Sequence, residues 1–282
     1  MKNILVTGGV GFIGTNLITD LVKLGYNVTS LDDYSAGLKT NEIKGVQYIN
    51  LDIESIDKID ADIDICFHLA AKSRVQPSFK DPKEYFRVNV QGTMKVMEWA
   101  KENNVKVIYA GSSSKHHNPS DSPYAMYKFL GEEVCKLYKK AYDINVEVAR
   151  FYNVYGPNES LDEEHGNVIG IWRSKVKKGK PLTIVGDGNQ RRDFTHVFDI
   201  VNGLIKIAMS NKVHRDAWEL GTGINYSVNE LFSMFNKKFN AESIFIPDQP
   251  GNYKLTLREN DDMLKDLDWK PEDRLEDHID NL

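Results

Sequence analysis

Tyr124 and Lys128 stand four residues apart in Ser122-Pro-Tyr-Ala-Met-Tyr-Lys128. Residues at that spacing lie one above the other on a single helix face. A free tyrosine, with a pKa of about 10, is a poor base at neutral pH. A nearby ammonium favours the phenolate, so the pair predicts a tyrosine whose pKa is lowered enough to take a proton from a substrate hydroxyl. The same spacing also occurs on ordinary amphipathic helices, and its chemical meaning depends on what surrounds it.

A second group of residues is suited to phosphate. In Thr7-Gly8-Gly9-Val10-Gly11-Phe12-Ile13-Gly14 the glycines recur at every third position. Gly8 permits a tight turn, Gly11 lets the backbone approach a pyrophosphate, and Gly14 allows close packing of helix on strand; the helix N-terminus attracts the anion. Asp32 lies 18 residues after Gly14, near the offset of roughly 20 expected for an acid that hydrogen-bonds an adenosine ribose. Its carboxylate would repel a 2′-phosphate, which favours NAD over NADP.

The elements that must position these groups follow from periodicity. Apolar runs at 3–6, 27–31, 46–50, 63–69, 105–110 and 146–150 predict strands. Ile13, Leu17, Leu21 and Leu24 recur at helical spacing until Gly25. Val88, Gly92, Val96 and Trp99 mark a helix over about 85–103, and Ser122 or Asp121 caps another that carries Tyr124 and runs to about Tyr142. A helix from Val197 to about Ser210 precedes a strand at 217–220. Repeated βα units imply an α/β fold, a doubly wound parallel (Rossmann) sheet, with ligands at the carboxyl ends of its strands. The Gly loop, Asp32, Asp52, Ala70-Ala71 and Ser112 all fall at such ends.

Composition bounds the remaining possibilities. The chain has 282 residues, 41% hydrophobic and 27% charged, with a net charge of -5. That balance gives no general electrostatic case for nucleic acid or an anionic membrane. Cys66 and Cys135 offer neither a disulfide framework nor metal-ligand spacing. No apolar run approaches ~20 residues and the N-terminus lacks a signal-peptide pattern, so the expected compartment is the cytoplasm.

The order TGGVGFIG (7–14), DDYSAG (32–37), DI (52–53), HLAA (68–71), NVQGT (89–93), SPYAMYK (122–128), RFYNVYGP (150–157), GDGNQRRDF (186–194) and PGN…LDWKP (250–271) resembles the extended short-chain dehydrogenase/reductase family, specifically its NAD-dependent nucleotide-sugar epimerases and dehydratases. The resemblance covers nearly the whole chain. It implies a Rossmann domain over 1–155, joined by 195–223, and a smaller α/β nucleotide-sugar-binding lobe built from 156–194 and 224–282. It further implies that Gly8, Gly11, Phe12, Ile13, Gly14, Asp32, Asp33, Ser35, Ala36, Gly37, Asp52, Ile53, Leu69, Ala70, Ala71 and Asn89 surround NAD, with Lys128 bonding the nicotinamide ribose and Tyr124 also beside the cofactor. Tyr124 would be the base and Ser112 its hydroxyl partner, with Ser113 as the alternative. Asn153, Asn167, Val168, Arg192 and Ser113 would face the nucleotide sugar, with Arg192 clamping the diphosphate as a guanidinium can. A homodimer, paired through the helix around 88–103 and the Tyr124 helix, is implied as well.

Plainer readings stand beside these. Ser112-Ser113-Ser114 suits a capping loop, Asn153 a turn, and Arg192-Asp193 a surface ion pair. His116-His117 has no third metal ligand at useful spacing and is expected to be solvated loop; His68 is expected to be structural, and Glu132-Glu133 a solvated helix face. The sequence also departs from the family. Only 12 positions separate Ser112 from Tyr124, about half the usual number, with Lys115-His116-His117 where a Tyr-Gly pair is expected. Gln249-Pro-Gly-Asn252 replaces Arg-Pro-Gly-Asp, leaving Lys254 or Arg258 to supply a second diphosphate cation. No Asp-Glu pair follows Ser112, which argues against 4,6-dehydration. The expected reaction is NAD-dependent epimerisation of a nucleotide-activated hexose, most simply at C4 of a UDP-sugar, through a keto-sugar. Dehydratase, decarboxylase, epimerase at another carbon, net oxidoreductase and non-catalytic NAD-binding module are the alternatives.

Overall fold

A computed structural model describes residues 2–59, 62–163 and 165–282. Glu164, in the acidic stretch 158–166 of the sequence, lies outside the described residues.

The first half of the chain alternates strand and helix: β1 (Asn3–Thr7), α1 (Phe12–Lys23), β2 (Asn27–Asp32), β3 (Gln47–Asn50), β4 (Ile65–His68), α2 (Val75–Lys80), α3 (Pro82–Phe86), α4 (Thr93–Asn103), β5 (Lys106–Ser112), α5 (Pro123–Tyr142) and β6 (Val146–Phe151). Short strands and helices follow: β7 (Val154–Tyr155), α6 (Val168–Lys177), β8 (Leu182–Val185), β9 (Arg191–Asp193), β10 (Thr195–His196), α7 (Val197–Met209), β11 (Trp218–Leu220), β12 (Asn225–Ser227), α8 (Val228–Phe239), β13 (Ser243–Ile246), α9 (Asp262–Leu267) and α10 (Leu275–Asp280).

Seven strands form one sheet in the order β11-β6-β5-β4-β1-β2-β3, every neighbouring pair parallel. The fold is therefore the doubly wound α/β sheet expected. Ile4, Leu5 and Val6 of the interior strand β1 are fully buried, as a strand covered on both faces requires. Ile4 and Val6 pack towards α1 and α7 in one core, whereas Leu5 and Cys66 join α4 and α5 in the other. A third core, with Trp172, Leu182, Phe235 and Ile279 at its centre, unites α6, β8, α8 and α10. It takes elements from both sides of the stretch that returns to the large sheet as α7 and β11.

Two boundaries differ usefully from expectation. β5 continues through Gly111 and Ser112, so the Ser112 side chain is set by sheet pairing, opposite Phe151 of β6. The expected helix over 85–103 is interrupted by a π-helical turn at Arg87–Gly92, which joins α3 to α4.

Candidate active site

Ser122 places Tyr124. Its side chain accepts from the Ala125 amide to cap α5, and Pro123 occupies the first turn. Ser78 of α2 accepts from the Tyr124 amide at 3.1 Å. With β5 extended to Ser112, the Tyr124 hydroxyl reaches Ser112 Oγ at 3.2 Å. Lys128, one turn on, is buried and donates to the Ala110 carbonyl at 2.6 Å, with its ammonium 4.9 Å from the centre of the Tyr109 ring. The three side chains expected to act together are thus brought together at the end of β5.

Their electrostatics correct one expectation. Burial pushes the Tyr124 pKa up, while the Ser112 hydrogen bond and the Arg74 charge pull it down. Lys128 is not what acts on the phenol: its ammonium is turned onto Ala110, and burial lowers its own pKa to about 8. Desolvation outweighs the helix-face pairing that the sequence suggested. Arg74, the cation that does act on Tyr124, holds a backbone φ of 100° and donates to the His165 carbonyl. Nothing in its local sequence marked it.

The cofactor residues line one groove across the strand ends. Gly8, Gly11, Asp32, Asp33, Ser35, Ala36, Gly37, Asp52, Ile53, Leu69, Ala70 and Ala71 all border it. Gly8 has a φ of +74°, and a Cβ there would meet the Ala70 amide at 2.8 Å. A Cβ on Gly14 would collide with the Gly8 carbonyl and lie 2.8 Å from Gly9 Cα, whereas one on Gly11 would meet only the Gly8 carbonyl, at 3.2 Å. Gly14 therefore serves packing, and Gly11 leaves room. No side chain caps α1, so its first amides, from Phe12 and Ile13, are available to an anion. Asp32 accepts from the Val10 and Tyr34 amides at 3.0 and 2.9 Å; burial raises its pKa and these bonds oppose the rise. An uncapped helix, an open glycine and a buried acid fit a dinucleotide.

Two cofactor candidates act less directly than expected. Asn89 is buried and spends its amide on the Lys72 backbone, accepting at 2.8 Å and donating at 2.9 Å. Asp52 pairs with Arg87 at 2.8 Å, which lowers its pKa. Lys72, overlooked in the sequence, borders the groove and bonds Ser35 Oγ; its position just past the end of β4 was the signal.

The substrate candidates divide. Arg192 is half-buried, its pKa lowered by burial to about 10, and it bonds the Asn252 side chain at 2.6 Å and the Arg191 carbonyl. It forms no surface pair with Asp193, which is fully buried and accepts from Thr222, Gly223 and Arg258 amides. Asn153 donates to the Asp193 carbonyl and Thr256 Oγ1, tying β6 to the C-terminal segment. Asn167 caps α6 by accepting from Gly170 and donates to Val154 and Glu159; Val168 begins that helix. Ser113 borders a second depression.

Two expectations fail outright. His116 and His117 are not solvated loop. His116 lies between Glu219 Oε1 at 2.5 Å and Glu259 Oε2 at 3.1 Å, and Glu219 raises its pKa; His117 stacks on Tyr253 with ring centres 3.8 Å apart. Glu132 is not solvated either: it is fully buried and grips Arg150 at 2.9 Å, while Glu133 faces outward to Lys115. Arg150 also reaches Asp216 at 2.8 Å and Glu219 at 3.5 Å. His68 is structural as expected, bonded to Thr7 and Thr93, and burial lowers its pKa to about 3.

Residues 4–221 match the model of the NAD-dependent epimerase/dehydratase family. The chain is 34% identical to a protein of Methanocaldococcus jannaschii provisionally assigned as a UDP-glucose 4-epimerase, over 98% of this chain and 95% of the relative. Its fold superposes on a UDP-glucose 4-epimerase of Thermotoga maritima solved with UDP-glucose, with a TM-score of 0.91 and 26% identity, covering 99% and 96% of the two chains. A UDP-glucuronic acid 4-epimerase of Bacillus cereus, solved with UDP-glucuronic acid and NAD, gives 0.89 and 29%, covering 98% and 96%.

Proposed function

The chain belongs to the NAD-dependent epimerase/dehydratase family, and we propose that it inverts C4 of a UDP-activated hexose through a keto-sugar intermediate. The observation that carries this reading is the Tyr124–Ser112 contact of 3.2 Å, one helical turn from a buried lysine. NAD, when bound, supplies the hydride acceptor that oxidises the hydroxyl carbon and the donor that reduces it again. The chain's own residues hold and move the proton. Tyr124 takes it from the sugar hydroxyl and later returns it, and Ser112 Oγ orients that oxygen. Lys128 supplies a fixed positive charge beneath the site, held on Ala110. Gly8, Gly11, Phe12 and Ile13 receive the pyrophosphate, and Asp32 the adenosine ribose.

Arg192 binds the UDP diphosphate, and the lobe around the third core carries the nucleotide. Asn153 and Asn167 shape this lobe by fixing backbone. Exposed Met94 and Leu137, on α4 and α5, suit the homodimer face. Among the described residues no helix is long and apolar enough to cross a membrane. Epimerisation is favoured over a second oxidation because Cys66 and Cys135 are both buried with their thiol pKa values pushed up. It is favoured over dehydration because Ser113-Ser114 stand where an acid pair would act.

The test is a panel of UDP-, dTDP- and GDP-hexoses incubated with the NAD-loaded protein and followed by NMR at the inverted carbon. Inversion at C4 of a UDP-hexose, reduced by roughly 10²–10⁴-fold in Tyr124→Phe while NAD stays bound, is the expected result. Near-normal turnover in that variant rules out Tyr124 as the base. Tight NAD binding with no product from any sugar overturns the enzymatic reading.

A further inference from the structure

The end of β5 holds a hydroxyl that the proposed mechanism leaves unused. Ser112 caps the single 3₁₀ turn Ser113–His116. Within that turn Ser113 borders the open depression, whereas Ser114 is turned inward, 4% exposed. The Ser114 hydroxyl lies 2.9 Å from Ser112 Oγ, its only hydrogen-bond partner among the described residues, and the Ser114 amide donates to the same oxygen at 3.2 Å. Ser112 Oγ is in turn 3.2 Å from the Tyr124 hydroxyl. Three hydroxyls therefore run in series, Tyr124–Ser112–Ser114. The far end of the turn is anchored, because both ring nitrogens of His116 meet carboxylate oxygens, Glu219 Oε1 at 2.5 Å and Glu259 Oε2 at 3.1 Å.

A hydroxyl has one proton to give and two lone pairs to fill. The Ser114 amide fills one lone pair of Ser112 Oγ whatever else happens. While Tyr124 is a phenol, the Ser112 proton has an acceptor on either side, the phenol oxygen or Ser114. Once Tyr124 is a phenolate, its oxygen only accepts. Ser112 must then donate to it, and Ser114 must donate to Ser112. In that state the series is complete, with every proton pointing towards the anion. Hydrogen bonds to an ion are the strong ones, and aligned hydroxyls polarise one another. The Ser114 hydroxyl therefore favours the phenolate over the phenol.

We propose that Ser114 is a positioning residue, acting through Ser112: it holds the Ser112 proton on the Tyr124 oxygen and so favours the phenolate that takes the substrate proton. The inference rests on the proposed function and deepens it. Lys128 is turned away onto Ala110, and the paired serines stand beside the phenol instead. The other charged and titratable groups acting on Tyr124 are Arg74 ahead of α2, Glu132 on α5, Tyr109 on β5 and Tyr253 of the C-terminal segment. None of them is hydrogen-bonded to Ser114 among the described residues, so removing its hydroxyl leaves them in place.

The experiment uses full-length, NAD-loaded protein carrying ¹³C-labelled tyrosine. The Tyr124 ring-carbon resonance is identified by its loss in Tyr124→Phe and followed against pH. Ser114→Ala is expected to move the Tyr124 midpoint up by about 0.4–1 on the pH scale, the loss of one hydrogen bond, with NAD affinity kept within about twofold. Ser114→Thr keeps the hydroxyl and is expected to restore the wild-type midpoint; Ser114→Cys, a weak donor, is expected to fall between the two. In turnover of the UDP-hexose, the acid limb of kcat/KM should move with the midpoint. A midpoint unchanged or lowered in Ser114→Ala, or raised equally in Ser114→Thr, overturns the proposal. A wild type that turns over no nucleotide sugar removes the parent reading, and the titration still decides whether Ser114 acts on Tyr124.

Discussion

Replacing Lys128 by Met should separate what the buried ammonium does for stability from what it does for activity. Burial lowers the Lys128 pKa from 10.5 to about 8. The side chain is 5% exposed, so solvent screening offers little relief. At ~1.36 kcal/mol per pKa unit, keeping it charged inside the fold costs about 3 kcal/mol at neutral pH. Met removes that cost and forfeits the hydrogen bond to the Ala110 carbonyl, a loss of about 1–3 kcal/mol. The two terms nearly cancel at pH 7, so the variant should be as stable as the wild type or slightly more so. The pH dependence is the sharper quantity. Between pH 8 and 10.5 the unfolded chain holds a proton that the folded chain has released, so raising pH stabilises the wild-type fold. Lys128→Met lacks that contribution. Urea unfolding of the cofactor-free proteins, followed by tryptophan fluorescence from pH 7 to 10.5, should show the wild type gaining about 3 kcal/mol relative to the variant. A difference that stays flat across this range would mean that the ammonium is not desolvated, and the reasoning would fail. Turnover by the same variant should drop at least a hundredfold at every pH.

Three further single substitutions and one double variant probe the scaffold. Gly11→Ala should fold normally and lose NAD affinity, whereas Gly14→Ala, whose Cβ would strike the Gly8 carbonyl and Gly9, should lose about 2 kcal/mol or more in urea unfolding; equal stability of the two would contradict their assigned roles. Glu132→Leu takes one carboxylate partner from Arg150, 2% exposed and left with Asp216 and Glu219, and should cost about 1–3 kcal/mol, with part of the loss recovered in Glu132→Leu/Arg150→Met; calorimetric melting of both variants would show it, and an additive double variant would refute the coupling.

The legible parts of this protein are the local ones. Gly8, Gly11 and Gly14 interact within one turn, and Tyr124 and Lys128 share one helix face, so spacing alone locates them. Repeated βα units fixed the parallel sheet for the same reason. What spacing cannot carry is a partner brought from afar. His116 meets Glu219 and Glu259, more than a hundred positions away, and His117 meets Tyr253; both therefore resembled solvent-facing loop. Glu132 looked like surface because its adjacent Glu133 is surface, and only the β6 arginine turns it inward. The sign of the Tyr124 shift was lost likewise. The sequence showed the nearby lysine but not the depth of burial, and burial is the larger effect.

The π-helical turn at Arg87–Gly92 has a consequence for phase. One extra residue in a turn rotates everything after it by about 100° relative to a regular helix. Tyr85 before the turn and Val96 and Trp99 after it, all buried, would share one face of an uninterrupted helix; the turn sets the later pair in the core beneath α4 and α5, apart from Tyr85, whose hydroxyl donates to the Ser73 carbonyl. The irregular turn works as a gear between two packing surfaces. A one-residue deletion there would leave composition and charge almost untouched, yet turn α4 out of step with α5 and release the loop beside the dinucleotide groove.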